Sequence, residues 1–387
     1  MHITPYTCVA KVETDRPQGY VAHWLPGQNP FLKEMPAKTH LPAEIFRGGR
    51  EQLYPEYADT LKALLTGSTA TAAGPGVAQP PSRKTKVPVA ATVTAVDADL
   101  DVVRVRDNIF VLVGPASNTT VAIGADGVMV VNTQSAAMAP KILAAIQKLT
   151  DQPIRYIVNT DMLAADTGGN IIVNKAGKFI GWRGETKAAD VLAHENVLQR
   201  MSGALGGAPA IDAAAWPQDT YYKGSMDLHF NGEAIQLIHQ PSAHTDGDSI
   251  VFFRGSDVIS TGDLFTPEAY PFFDVALGGT YQGLIDALNR VIDLAIPDFN
   301  EEGGTMIIPG HGRVTDEYEL VTYRDMLTII RDRIADMIAR GFTLKQVLDA
   351  RPSSDYDGMY GSDTGAWTTA KFIESVYTDL KHHAAPH

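Results

Sequence analysis

The amino-acid sequence predicts an α/β fold with two β-rich halves of similar layout. Short apolar runs bounded by turn residues, typical of strands, alternate with longer runs of helical periodicity. The hydrophobic content of 44% and the charged content of 20% are ordinary for a globular protein, so a substantial core is possible. The length of 387 residues suits one large domain or two to three average ones.

The first 91 residues differ in composition from the rest of the chain. Residues 1–65 are rich in aromatic residues and prolines, with a short helix predicted over 57–65. We expect an N-terminal arm that packs on the main domain or on a second subunit of a homo-oligomer; an irregular extension without function explains the segment equally well. Residues 66–91 are small and proline-rich, which is typical of a linker. The main domain is expected over residues 92–387.

The first β-rich half is predicted to contain a hairpin, a helix and a further strand. Asp126-Gly127, between two apolar runs, is a hairpin signal. Met138, Ile142 and Ile146 have helical spacing. The strands are expected at residues 103–113, 118–123, 128–131 and 154–158, and the helix at 136–149.

The second half repeats this layout and ends in helices. A helix is expected at 188–201, in which His194 is interpreted as a capping or packing histidine. Thr343 is expected to cap a helix at 344–350. Strands are predicted at 226–230, 234–238, 249–253, 258–260 and 305–308, and further helices at 280–295, 318–339 and 366–380.

Charge and cysteine content exclude several classes of function. The chain has 32 basic and 45 acidic residues, a net charge of −13, which argues against a nucleic-acid surface. No apolar run approaches the roughly 20 residues that span a bilayer. The single cysteine, Cys8, excludes an intrachain disulfide and a cysteine-based zinc cluster. Residues 1–25 do not resemble a secretion signal, so a soluble protein is expected, with the cytoplasm and the periplasm both open.

The segment from Asn159 to Asn170 carries the first candidate site residues. Asp161 and Asp166 lie between a predicted strand and a Gly-Gly turn. Functional side chains are often placed on such loops because the strand fixes their position. The alternatives are that Asp161 is a solvated loop acid and that Asp166 caps the turn that follows it.

Three later motifs complete a pattern that resembles the metallo-β-lactamase superfamily. They are Pro241-Ser-Ala-His244-Thr-Asp-Gly-Asp248, Ser260-Thr-Gly-Asp263-Leu-Phe265 and Pro309-Gly-His311-Gly312. With the 159–170 segment they match the family in order and spacing over residues 105–340. The resemblance implies a four-layer αββα sandwich, with Asp161, Asp166, His244, Asp263 and His311 meeting at one edge. The first motif departs from the family, because Asp161, Leu163, Ala165 and Asp166 occupy its four usual ligand positions.

This departure leaves three interpretations of the chemistry. In the first interpretation, Asp166, Asp263 and His311 hold one divalent metal ion (Zn, Mn, Fe, Mg or Ca), and His244 or Asp161 is a further ligand. The chain would then hydrolyse a small ester, lactone, amide or phosphoester. In that interpretation His244, Asp263 and Asp161 are the catalytic residues. The second is metal-free acid–base catalysis by a pair such as an aspartate and His244 or His311. The third is a pseudo-hydrolase without a cofactor, used for ligand binding or assembly.

A loop at residues 265–281 supplies the candidate substrate-binding residues. The resemblance implies that its aromatic residues form the substrate wall. Core packing or a subunit contact explains them as well. They are Tyr270, Phe272, Phe273 and Tyr281.

Overall fold

The computed structural model describes residues 7–11, 19–23, 94–97, 100–181, 184–185, 188–206, 211–298 and 303–384. The chain divides into two units, Met1–Lys86 and Val87–His387. In the first unit, β1 (Thr7–Lys11) and β2 (Gly19–His23) pair as an antiparallel ribbon. The predicted helix at 57–65 and the predicted linker lie outside the described residues.

The larger sheet of the second unit has eight strands in the order β12-β11-β8-β7-β6-β5-β4-β3. Strands β3 to β7 pair antiparallel in sequence order, and β7, β8, β11 and β12 pair parallel. A separate antiparallel ribbon joins β9 to β10. The bounds are β3 (Thr94–Asp97), β4 (Leu100–Arg104), β5 (Ile109–Val113), β6 (Asn118–Gly124), β7 (Gly127–Val131), β8 (Ile154–Val158), β9 (Ile180–Gly181), β10 (Gly184–Glu185), β11 (Asp190–His194) and β12 (Asp219–Tyr221).

The smaller sheet has five strands in sequence order, β13 to β17. All neighbours are antiparallel except β16 and β17, which are parallel because a helix connects them. The bounds are β13 (Ser225–Phe230), β14 (Glu233–His239), β15 (Ser249–Phe253), β16 (Val258–Gly262) and β17 (Met306–Pro309).

The described helices flank the two sheets. Side-chain caps begin several of them: Thr280 and Asp316 accept from the third residue of their helices, and Thr343 forms the predicted cap as a capping box with Gln346. The bounds are α1 (Ala139–Leu149), α2 (Ala164–Thr167), α3 (Asn170–Ala176), α4 (Glu195–Met201), α5 (Tyr281–Leu294), α6 (Glu317–Ala339), α7 (Leu344–Ala350), α8 (Asp357–Tyr360) and α9 (Thr369–Ala384), with 3₁₀ turns at Ala213–Ala215 and Val275–Leu277.

Strand alternation distributes most buried apolar residues of the described sheets among three stacked cores, and a smaller fourth cluster includes Ala193 and Val197. Val130 packs with α1 on the outer face of the larger sheet, whereas its neighbour Val131 packs between the two sheets. In the same way Ile308 faces the smaller sheet's inner core, and Ile307 faces the outer core formed with α5, α6 and α9. Because successive strand residues point to opposite faces, each sheet fills one core on either side. The predicted α/β class and αββα four-layer sandwich are confirmed.

Two predicted elements are wrong. Residues 103–113, predicted as one strand, form the end of β4 and all of β5, which pair antiparallel around residues 105–108. The segment predicted as a helix at 188–201 is strand β11 followed by the short helix α4. Residues 190–194 pair with β8 and β12, and Val191, Leu192 and Ala193 are buried in the sheet. Tertiary pairing therefore overrides a short apolar run whose periodicity suits either structure.

His194 caps a helix, as predicted. Its Nδ1 accepts a hydrogen bond of 3.2 Å from the backbone N–H of Asn196 at the start of α4. Its ring also stacks on that of His239, with centroids 3.5 Å apart. Among the described residues, no helix is long and apolar enough to cross a membrane.

Candidate metal centre

The candidate site residues lie on four loops that follow strands β8, β14, β16 and β17. Asp161 and Asp166 follow β8, and His244 follows β14. Asp263 comes directly after β16, and His311 comes two residues after β17. Their mutual contacts bring all five side chains into one cluster, as the sequence predicts.

Three carboxylates form the centre of this cluster. Asp161, Asp166 and Asp263 each offer an oxygen, and these oxygens lie within 4.8 Å of one another. Asp161 is 1% exposed and Asp166 is fully buried. Asp161 is therefore not a solvated loop acid. Asp166 lies inside α2, and the helix that follows, α3, begins at Asn170 with Gly169 as its N-cap and without a side-chain cap.

Asp161 and Asp166 each have one carboxylate oxygen that accepts a hydrogen bond and one that does not. Asp263 has one oxygen close to a histidine. Oδ1 of Asp161 accepts from the N–H of Leu163 at 2.7 Å, and Oδ1 of Asp166 accepts from the side-chain amide of Asn132 at 3.0 Å. The other oxygens, Oδ2 of Asp161 and Oδ2 of Asp166, are buried without a hydrogen-bond partner among the described residues. Oδ1 of Asp263 is likewise without one.

His244 stands between two acids. Its Nδ1 lies 3.8 Å from Oδ2 of Asp161 and 3.7 Å from Oδ1 of Asp248, and the side chain is 2% exposed. Both distances are too long for hydrogen bonds. Asp248 accepts from the backbone N–H and the hydroxyl of Thr245 at 2.7 and 2.8 Å, which fixes its position beside the imidazole.

His311 stands at the open side of the cluster. Its Nε2 lies 3.0 Å from Oδ1 of Asp263, an ion-pair contact, and its side chain is 35% exposed. The turn that carries it is held from the larger sheet. The side-chain amide of Asn118 donates to the carbonyls of Pro309 and Gly312 at 2.9 and 2.8 Å.

Burial and mutual repulsion raise the pKa of two of the acids. Burial, followed by the charge of Asp263, raises the pKa of Asp161 to about 7. Burial and the charges of Asp263 and Asp161 raise the pKa of Asp166 well above its ordinary value. Burial also opposes the charge of Asp263, but His311 and His244 lower the pKa of that carboxyl. Asp263 is therefore the acid that stays ionised.

The acids in turn favour protonated histidines. Burial alone would lower the pKa of His244, but Asp248, Asp263 and Asp161 raise it to about 10. For His311, the effect of burial is outweighed by Asp263, which raises its pKa. Of the five side chains, Asp263 is the acid whose ionised form is favoured, and the two imidazoles supply positive charge beside it.

A turn after β7 supports the carboxylates. Asn132 has a φ of 61°, in the left-handed region that Asn tolerates better than most residues. Its Oδ1 accepts from the N–H of Thr160, and its amide donates to the hydroxyl of Thr160 as well as to Asp166. Thr133 donates its N–H to the carbonyl of Asp166 at 2.6 Å. These bonds fix both ends of the loop that carries the two acids.

Two glycines allow the loops to approach each other. A Cβ on Gly310 would lie 2.3 Å from Oδ1 of Asp263. A Cβ on Gly262, whose φ is +54°, would lie 2.4 Å from the hydroxyl of Thr160. Any side chain at either position would push Asp263 or the 159–170 loop out of place.

Only one of the four predicted wall aromatics borders the cluster with an exposed side chain. Phe272 is 44% exposed and makes an edge contact with His244, with ring centroids 5.8 Å apart. Tyr270, Phe273 and Tyr281 are buried in the outer core with α5, α6 and α9. Their burial favours the packing alternative for these three residues.

Sequence reasoning did not single out Asp248, Asn132 or Asn118. The spacing of Thr245 and Asp248, three residues apart in a turn, is typical of a side-chain-to-backbone hydrogen bond and could have indicated Asp248. Asn132, a polar residue after the buried strand β7, could have indicated a left-handed turn. Nothing local marks Asn118, because its partners lie 191 and 194 residues away.

Comparisons with known proteins add little to this geometry. No family model matches the chain. No curated protein matches it either. Among solved structures, the chain is similar to a metallo-beta-lactamase from Pontibacter korlensis at 15% identity and a TM-score of 0.43, over 61% of this chain and 98% of that one. The identity and the TM-score are both low, so the assignment of the layered fold depends on the sheets and cores described above.

Proposed function

We propose that the carboxylate cluster holds one divalent cation and that the chain is a metal-dependent hydrolase acting on a small substrate. The observation that carries this proposal is a set of three ligand-type atoms left without hydrogen bonds, Oδ2 of Asp161, Oδ2 of Asp166 and Nδ1 of His244, beside Oδ1 of Asp263, whose close partner is the His311 imidazole at 3.0 Å. Buried carboxylates within 4.8 Å of one another repel unless a positive charge offsets them. A cation fits that requirement.

The donor set favours a hard cation. Asp161, Asp166 and Asp263 offer carboxylate oxygens, and the one cysteine of the chain, Cys8, lies far from these motifs in the sequence. Oxygen ligands suit Mn²⁺, Mg²⁺, Ca²⁺ or Fe²⁺ better than Zn²⁺, which prefers imidazole and thiolate. The geometry favours Asp161 over the expected His311 as the third ligand, because His311 is ion-paired to Asp263 at the rim.

The surrounding side chains have separate roles in this proposal. When bound, a divalent cation would supply the Lewis acidity that polarises a scissile carbonyl or phosphoryl bond. Asp263, the acid that stays ionised, would anchor the cation. His311, protonated and partly exposed, is placed to donate a proton to a leaving group, and His244 offers a second proton donor deeper in the cluster. Phe272 would hold the substrate against His244.

Metal binding tests this proposal directly. We expect equilibrium dialysis of the full chain against Mn²⁺, followed by elemental analysis, to give about one equivalent of metal. Asp166→Asn combined with Asp263→Asn should abolish binding. Asp190→Asn is the matched control, because this partly buried acid lies at the start of β11, outside the cluster. A wild-type protein that takes up no divalent metal, or a double variant that binds as well as the wild type, would contradict the proposal.

The second candidate is a non-catalytic ligand-binding or assembly protein of the same fold. Leu163 and Ala165 favour it, because neither side chain can ligate a metal in the loop that usually supplies ligands in the resembled family. Absence of metal binding together with absence of turnover on esters, lactones, amides and phosphodiesters would select this candidate. Turnover that survives a chelator would instead select acid–base catalysis by the Asp161–His244 pair.

A further inference from the structure

A cavity of about 220 Å³ lies beside the loops that carry Asp263 and His311. Its lining includes Phe265, two residues after Asp263, and Arg313, two residues after His311. The two loops meet here: a Cβ on Gly312 would lie 3.4 Å from Cγ of Pro267, another lining residue. Helices α6 and α8 complete the walls. The cavity is therefore formed in part by two of the four loops that carry the candidate site.

The walls of the cavity are mainly apolar or aromatic. Phe265, Tyr323, Tyr360 and Met359 line it. The hydroxyl of Tyr323 already donates to the carbonyl of Ala269 at 2.9 Å. The side chain of Met359 is 70% exposed. Because most of these walls are apolar or aromatic surface, they suit an apolar or aromatic group.

The charged groups of the cavity do not favour an anion. The guanidinium of Arg313 makes two hydrogen bonds of 2.8 Å to the carboxylate of Glu319 and lies 3.8 Å from Glu268. An anionic ligand would have to displace Glu319 to reach it. The cavity itself therefore suits an uncharged group.

We propose that this cavity binds an uncharged aromatic or alkyl group of a substrate whose scissile bond lies at the carboxylate cluster. The inference rests on the proposed hydrolase function and selects, among its substrates, those that carry an uncharged aromatic or alkyl group. The size is suitable, because an apolar cavity of about 150 Å³ accommodates a benzene ring.

Binding of small aromatic probes to the metal-free full chain tests the cavity without requiring turnover. We expect phenol to bind, measured by saturation-transfer NMR, and benzoate to bind about tenfold more weakly or not at all. Thr322→Trp, at an exposed lining position on α6, fills the cavity and should weaken phenol binding by about tenfold or more. Ala335→Trp, exposed on the same helix but outside the cavity, should leave phenol binding unchanged.

Two results would overturn the inference. One is benzoate binding as tightly as phenol, which would make Arg313 an anion site. The other is phenol binding that Thr322→Trp does not weaken. With metal added, the KM for phenyl acetate should be lower than that for methyl acetate in the wild type, and Thr322→Trp should remove this difference. Phenol binding without any turnover would contradict the hydrolase proposal but not the assignment of the cavity. The failures of the two proposals are therefore distinguishable.

Discussion

The Nδ1 atom of His244 lies 3.8 Å from Oδ2 of Asp161, and neither atom has a hydrogen-bond partner among the described residues. This distance leaves a gap between two buried polar atoms that would normally be bonded or separated by apolar groups. The gap adjoins Asp166 and Asp263. It is the physical reason to expect that the stability of the protein depends on a cation.

Asp161→Asn should stabilise the metal-free protein and remove its response to metal. Burial and the charge of Asp263 raise the pKa of Asp161 from 3.8 to about 7, so between these values the folded protein keeps a proton that the unfolded chain has released. The resulting destabilisation grows as the pH rises from 3.8 and is complete above pH 7. We expect the free energy of unfolding at pH 8, from urea titrations in the presence of a chelator, to rise by about 1–3 kcal/mol. Added Mn²⁺ should stabilise the wild type and the Asp190→Asn control but not Asp161→Asn. A variant less stable than the wild type without metal would refute this account.

Asn132→Ala and Asn132→Gly should separate backbone strain from lost hydrogen bonds. Both remove the bonds to Thr160 and Asp166. Ala also places a Cβ at a φ of 61°, which Gly adopts freely. We expect Asn132→Ala to lower the free energy of unfolding by about 2–4 kcal/mol and Asn132→Gly by about 1 kcal/mol less. Equal losses would show that strain at this position is negligible.

His194 should make the protein less stable in mild acid. Burial and the neighbouring His239 lower its pKa to about 4, from 6.5. The unfolded chain therefore binds a proton at a higher pH than the folded chain. The stabilising contribution is complete above pH 6.5 and is lost as the pH falls toward 4.

The measurement is the free energy of unfolding at pH 7 and pH 5 for matched histidine variants. We expect His194→Asn, which keeps a capping side chain, to show a loss between these pH values smaller than that of the wild type by about 1–2 kcal/mol. His229→Asn, at an exposed position on β13, should lose as much as the wild type. An unchanged pH dependence in His194→Asn would contradict the prediction.

Phe272 and Phe273 are adjacent in the chain and should give opposite results. Phe272 is 44% exposed beside His244, so Phe272→Ala should raise KM for aryl ester substrates with little effect on thermal stability. Phe273 is 3% exposed in the outer core, and Phe273→Ala should destabilise the protein by about 3–5 kcal/mol. Thermal unfolding and steady-state kinetics of the two variants check this. A large loss of stability in Phe272→Ala would assign it to the core instead.

The fold could be predicted from sequence because its strands are locally distinct. The run 109–113 and the hairpin at Asp126-Gly127 carry their own signals, and the structure has strands β5, β6 and β7 there. The segment 190–194 lacked such a signal. Its strand conformation comes from pairing with β8 on one side and β12 on the other, and a short buried run does not disclose its partners.

The candidate site was predictable in membership but not in detail. The five acids and histidines could be selected because each lies in a motif of the resembled family. Which acids would be protonated depends on burial and on distances between loops, and the sequence contains neither. The role of Asp248 beside His244 and the different environments of Phe272 and Phe273 required coordinates for the same reason.

The hydrogen bonds from Asn118 to the turn that carries His311 have a consequence for folding. The side-chain amide of Asn118, in the first β-rich half, donates hydrogen bonds to Pro309 and Gly312, which lie 191 and 194 positions later in the chain. Because closing a loop of this length costs conformational entropy, we expect these hydrogen bonds to form only after both sheets have docked. During refolding, cation affinity should therefore emerge in the last kinetic phase, after most secondary structure has already formed.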